Sequence, residues 1–170
     1  MWSYRRLICA GLFLLGLNGC GFHPLYAPSS RAEFEPELAA IRVEAIPDRL
    51  GQILAISLRD SFNPSGDRVS ARYGLRIALT TTRQDVGIRS DGTASRAEID
   101  TTATFTLTEL GSNRILLTSS ARTVSGFDIL TDDYATIVAE KDAKERSMHD
   151  LSDEIHTRLA LFLLRDQAKG

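Results

Sequence analysis

Three times between Tyr73 and Thr123 the chain alternates apolar and polar side chains with a period of two, and from Tyr134 to Leu164 it carries neither proline nor glycine. Together these stretches constrain the fold more than any other feature. Successive side chains of a strand point to opposite faces, so alternation predicts a sheet with one covered face and one polar face. Tyr73, Leu75, Ile77 and Leu79 alternate with Arg72, Gly74, Arg76 and Ala78. Ala97, Ile99, Thr101, Ala103, Phe105 and Leu107 form the second set. A turn over Glu109–Asn113 leads to the third, Ile115, Leu117, Ser119, Ala121 and Thr123, which ends near Gly126. This pattern suits an antiparallel meander. Its polar face holds Arg76, Thr80, Thr102, Thr104 and Thr106, and is either solvated or, being flat and Thr-rich, able to meet a partner.

The breaker-free segment reads as a long helix. Met148, Leu151, Ile155, Leu159 and Phe162 recur at steps of three and four, and Thr131, Asp132 and Asp133 stand where an N-cap and the helix dipole favour them. Its charged middle, Glu140 to Arg146, is predicted to be solvated. Upstream, Ile41, Val43 and Ala45 alternate with Arg42 and Glu44 as a strand. Leu50, Ile53, Leu54, Leu58 and Phe62 then mark a helix from Asp48 to Phe62, with Pro47-Asp48 as its expected cap and Asn63–Asp67 as its stop. The predicted order is β-α-β-β-β-α. The fold class is α+β, a two-layer sandwich of two helices packed on a four-stranded, mostly antiparallel sheet, because that buries both helical stripes.

Residues Arg83 to Arg96 join the first two long strands as a long loop or as a hairpin arm, with turn chemistry at Ser90-Asp91-Gly92. Arg83, Arg89 and Arg96 recur along it. Guanidinium groups bind phosphate bidentately, so these three are candidate contacts for lipid phosphates, against the plainer reading that they are loop charges kept for solubility.

No constellation for catalysis is present. The histidines are His23, His149 and His156; the last two sit about 10 Å apart on one helical face, too far to share a metal, and no metal site is expected. His149 and Asp153 can pair at the i,i+4 spacing. There is no Gly-x-Ser-x-Gly elbow and no phosphate-cradling glycine loop, so the chain is not expected to be an enzyme.

At the N-terminus Arg5 and Arg6 precede an apolar run from Leu7 to Leu17, and Leu17-Asn18-Gly19-Cys20 closes it. This is the layout of a lipoprotein signal peptide over residues 1–19, too short to span a bilayer, with Cys20 as the lipidated residue. A soluble export signal cut nearby, or an uncleaved anchor, also fits these residues, and Asn18 departs from the small or aliphatic residue usual before the glycine. Removal of 1–19 leaves 18 Lys+Arg against 22 Asp+Glu, a formal net charge of −4, which argues against nucleic acid as a partner. The expected cofactor list is empty apart from the covalent lipid on Cys20. Residues 20–37, with Pro24, Pro28 and Pro36, read as a lipidated tether, and 38–170 as one domain. Phe22, Leu25 and Tyr26 are an apolar cluster unusual in a spacer; they dock on their own domain or meet a membrane interface or a partner.

The run Cys20-Gly21-Phe22-His23-Pro24-Leu25-Tyr26 resembles the mature N-terminus of the LPS-assembly lipoprotein family LptE, in particular its alphaproteobacterial members. The resemblance implies a two-layer α/β sandwich on a four-stranded sheet. It also implies an outer-membrane lipoprotein, anchored on the periplasmic side, that plugs the LptD β-barrel and supports its assembly and lipopolysaccharide delivery to the outer leaflet. Gly21 stands where an Asp would mark inner-membrane retention. The rival expectation is a stand-alone, periplasm-facing lipoprotein that binds a small ligand or envelope polymer in a deep apolar pocket.

Overall fold

The computed structural model describes residues 36–88 and 94–167. Cys20, Phe22, Leu25, Tyr26 and the signal segment lie outside the described residues, as do Arg89 and the Ser90–Gly92 turn. The elements are β1 (Ile41–Val43), α1 (Asp48–Phe62), β2 (Tyr73–Ile88), β3 (Ala94–Glu109), β4 (Arg114–Asp128) and α2 (Asp133–Gln167). The four strands lie side by side in the order β1-β2-β3-β4. β1 runs parallel to β2, which the α1 crossover permits, and the other two pairings are antiparallel. Order and architecture are those the periodicity predicts. The Arg83–Arg96 segment is a hairpin arm: β2 and β3 stay paired from Tyr73↔Glu109 out to Ile88↔Ala94.

The helices cover one sheet face. Leu75, Leu107 and Leu117 form one row of that face, Ile77, Phe105 and Ser119 the next, then Leu79, Ala103 and Ala121. Leu54, Leu58 and Phe62 of α1 and Met148, Leu151, Ile155, Leu159 and Leu163 of α2 close over them, all buried. At about 25 cal/mol per Å² of apolar surface, each such side chain contributes roughly 1.5–3 kcal/mol, so the two stripes dominate the folding free energy. Phe162, expected in the core, is only partly buried, because the stripe drifts round the helix and Leu163 takes its place.

Three local expectations differ. The middle of α2 is not merely solvated. Ala143 is fully buried in a second cluster with Ala97, Ile99 and Phe127, and its small side chain lets the helix sit on the sheet while the neighbouring charges fan sideways. Ile115, expected to face the helices, is 64% exposed. A bulge is responsible: Leu107 pairs with Leu117 but Thr108 with Ile115, and the extra residue turns Ile115 to the other face. Finally, the Asp48 side chain makes no cap bond to α1; Pro47 holds the N-cap position in extended backbone. At the start of α2, by contrast, Asp132 Oδ1 accepts from the N–H groups of Tyr134 (2.9 Å) and Ala135 (3.4 Å), as expected of an N-cap.

Candidate functional site

Among the described residues no helix covers the second sheet face. Thr80, Thr102 and Arg122 form one row across β2, β3 and β4; Ala78, Thr104 and Ser120 form the next; Arg76, Thr106 and Thr118 the third. Apart from Arg76, Ala78 and Arg122 the side chains are short and hydroxylated, and most are exposed. Short branched residues suit a flat pleated surface, and their hydroxyls both donate and accept. Two ion pairs stand on this face. Arg122 meets Asp100 diagonally, Nε to Oδ1 at 2.9 Å and Nη2 to Oδ2 at 2.6 Å. Those bonds from Arg122 hold the Asp100 carboxyl below its ordinary range and raise the guanidinium in turn. Arg76 Nε donates to Glu44 Oε2 at 3.0 Å near the other side of the sheet. The Arg122–Asp100 pair was not legible in the sequence, since the residues are 22 apart and only the strand register makes them neighbours.

The candidate arginines do not form one cluster. Arg83 faces the helices: Nη1 donates to Glu140 Oε2 at 2.8 Å, and the guanidinium carbon lies 5.4 Å from the centre of the Phe127 ring. Glu140 is held below the ordinary carboxylate range, first by its hydrogen bond from Lys144 Nζ at 2.6 Å and then by the charges of Lys144 and Arg83. Arg96 lies on the open face, its guanidinium over Gly126, where any side chain would collide with it. Two cations that read as one arm therefore sit on opposite sides of it: Arg83 pairs with Ile99 and shares its face, and Arg96, an odd number of residues from Ile99 along β3, points to the other.

Tyr134, Ile137 and Val138 at the start of α2 are 75%, 65% and 48% exposed. A groove of about 480 Å³ runs along the outside of the two helices, lined by Arg49, Leu50, Ile137, Glu140, Lys141, Lys144 and Glu145. Its charges are mutually paired, with Arg49 3.3 Å and Lys141 3.8 Å from Glu145. One groove touches the margin between β1 and α1, at Ile41, Arg59 and Phe62; none is lined by the core side chains of β2, β3 and α2, which are almost fully buried. No group of three or more metal-ligating side chains occurs among the described residues. His149 Nδ1 lies 3.4 Å from Ser57 Oγ on α1, and His156 stacks on Phe62 at 6.0 Å, both ordinary helix-packing contacts.

The profile of the LptE family, described as lipopolysaccharide-assembly, matches residues 38–159. The chain belongs to the LptE family. Solved structures of lipoproteins share the fold. A candidate lipoprotein of Caulobacter crescentus superposes with a TM-score of 0.66 at 24% identity, over 79% of this chain and 98% of that one. Rare lipoprotein B of Shewanella oneidensis gives 0.59 at 10% identity, over 75% and 96%. A minor lipoprotein of Acinetobacter baumannii gives 0.53 at 19% identity, over 71% and 88%. At these identities the likeness concerns the fold. No curated protein matches the chain by sequence.

Proposed function

We propose that this LptE-family chain is a non-enzymatic outer-membrane lipoprotein, held on the periplasmic side by lipid on Cys20. It partners the LptD β-barrel as a plug and supports both barrel assembly and delivery of lipopolysaccharide to the outer leaflet. The family match over residues 38–159 carries this reading. The physical form agrees with it. A plug needs a rigid core and polar outer surfaces to meet a water-filled barrel interior, and the open sheet face with its Thr rows supplies such a surface. Several acyl chains at ~0.8 kcal/mol per buried CH₂ make an anchor strong enough that the protein itself needs no spanning helix. Among the described residues no helix is long and apolar enough to cross a membrane.

The stand-alone binding module needs a deep apolar pocket, and the layer between helices and sheet is filled with Phe105, Leu107, Leu151 and Ile155. The deciding experiment is affinity purification of the full-length protein from detergent-solubilised outer membranes, with mass spectrometry of its mature N-terminus. Recovery of a large β-barrel and a triacylated Cys20 is expected; a protein recovered alone, without lipid, would sink the reading.

A further inference from the structure

β1 covers only Tyr73–Leu75 of the sixteen-residue β2. Tyr73 N–H donates to Ala40 O at 3.2 Å, and Leu75 O accepts from Glu44 N–H at 2.9 Å. The odd residues of β2 therefore aim their backbone groups away from β3, and the even ones toward it. Beyond Leu75 no described strand stands on that side. Among the described residues the N–H and C=O groups of Leu79, Thr81, Arg83 and Asp85 thus form an unpaired edge about 20 Å long, next to the buried Ile77.

The opposite edge is treated differently. By the same alternation, β4 turns its even residues outward. Two of those carbonyls are occupied from α2: Arg158 Nη1 donates to Ser120 O at 2.6 Å and Arg146 Nη2 to Gly126 O at 3.4 Å. These arginines obstruct strand addition at β4. The stretch Ile77–Thr82 of β2 has none of the usual edge guards, neither lysine nor proline nor any other charge, and its residues favour strands. A long unpaired row of alternating donors and acceptors is complementary to one ligand chemistry, an extended polypeptide backbone. The barrel polypeptide is a source of such segments, because its own strands lack partners until it closes.

We propose that an extended segment of the barrel partner adds to β2 along Leu79–Asp85 as a fifth strand. The proposal rests on the barrel-partner reading above. Recognition is by main chain, so side chains along the edge matter little and one backbone N–H matters much. Thr81→Pro removes an outward N–H without touching the β2–β3 ladder, and Thr81→Val keeps it.

Both variants and the wild type are expressed as tagged full-length lipoproteins and purified from detergent-solubilised outer membranes. Thr81→Pro is expected to lower barrel recovery at least tenfold, and Thr81→Val to leave it unchanged. Amide hydrogen exchange of the wild type gives a second readout that needs no variant. Leu79, Thr81 and Arg83 should exchange rapidly in the free protein and at least tenfold more slowly in the complex. Full recovery with a folded Thr81→Pro, or equally fast exchange of these amides in the complex, overturns the proposal while leaving the partnership intact. Slow exchange in the purified protein alone, with a dimeric mass by light scattering, assigns the edge to a second copy and also overturns it. No barrel recovered with the wild type overturns both readings.

Discussion

Arg122 clasps Asp100 through two hydrogen bonds, 2.9 and 2.6 Å long, on the sheet face opposite α1 and α2. Such a fork aligns β3 and β4 and neutralises two charges on an otherwise hydroxyl-rich surface.

The pair has a defined pH signature. The Asp100 carboxyl titrates below its ordinary value of 3.8, held there by Arg122. A lowered folded-state value contributes stability above the ordinary value and loses it as the pH falls through the lowered one. Carboxyl NMR should show Asp100 titrating below 3.8 in the wild type and near 3.8 in Arg122→Ala. Identical midpoints in the two proteins would mean the clasp does not form in solution. Because the pair is exposed, the melting temperature should scarcely change.

Arg83 and Arg96 should separate cleanly when each is reversed. Arg83→Glu places a carboxylate against Glu140 and removes the cation from the Phe127 ring, and should cost about 1 kcal/mol after allowing for its partial exposure. Arg96→Glu should stay within about 0.5 kcal/mol of wild type in urea unfolding, as surface changes do. Lipopolysaccharide binding by the detergent-solubilised full chain should weaken several-fold in Arg96→Glu and Arg89→Glu. Unchanged affinity in both would place the contact elsewhere.

Gly51→Ala should destabilise although alanine is the better helix former. Its Cβ would lie 2.5 Å from Ile46 Cγ2, 2.9 Å from Ile46 Cβ and 3.1 Å from the Ile46 carbonyl carbon. Overpacking of about 1–3 kcal/mol outweighs a propensity gain of about 1 kcal/mol. A variant more stable than wild type would show that Ile46 can move aside.

Leu151→Ala removes a fully buried side chain of the main core cluster and should cost about 3 kcal/mol by urea unfolding. Ile137→Ala, at a 65% exposed position on the same helix, should cost less than about 0.5 kcal/mol. Equal losses would contradict the assignment of α2's buried face.

Much of this fold can be read from side-chain spacing alone. The periods of two and of three to four mark β2, β3, β4, α1 and α2, and they name Leu75, Phe105, Leu58 and Leu151 as core. These are local properties: a residue's face follows from its neighbours in the chain. The family resemblance carried by Cys20–Tyr26 is equally local, and the match over residues 38–159 agrees with it. Pairings between distant residues are another matter. Only the register brings Arg122 to Asp100, only the bulge at Leu107 turns Ile115 outward, and only strand parity puts Arg83 and Arg96 on opposite sides. Which edge stays open depends on β1 being three residues long beside a sixteen-residue β2, and on α2 carrying Arg158 and Arg146 to β4. Spacing along a chain dictates which way a side chain points. What it points at depends on contacts closed over tens of residues, and those exist only once the sheet and its helices have packed.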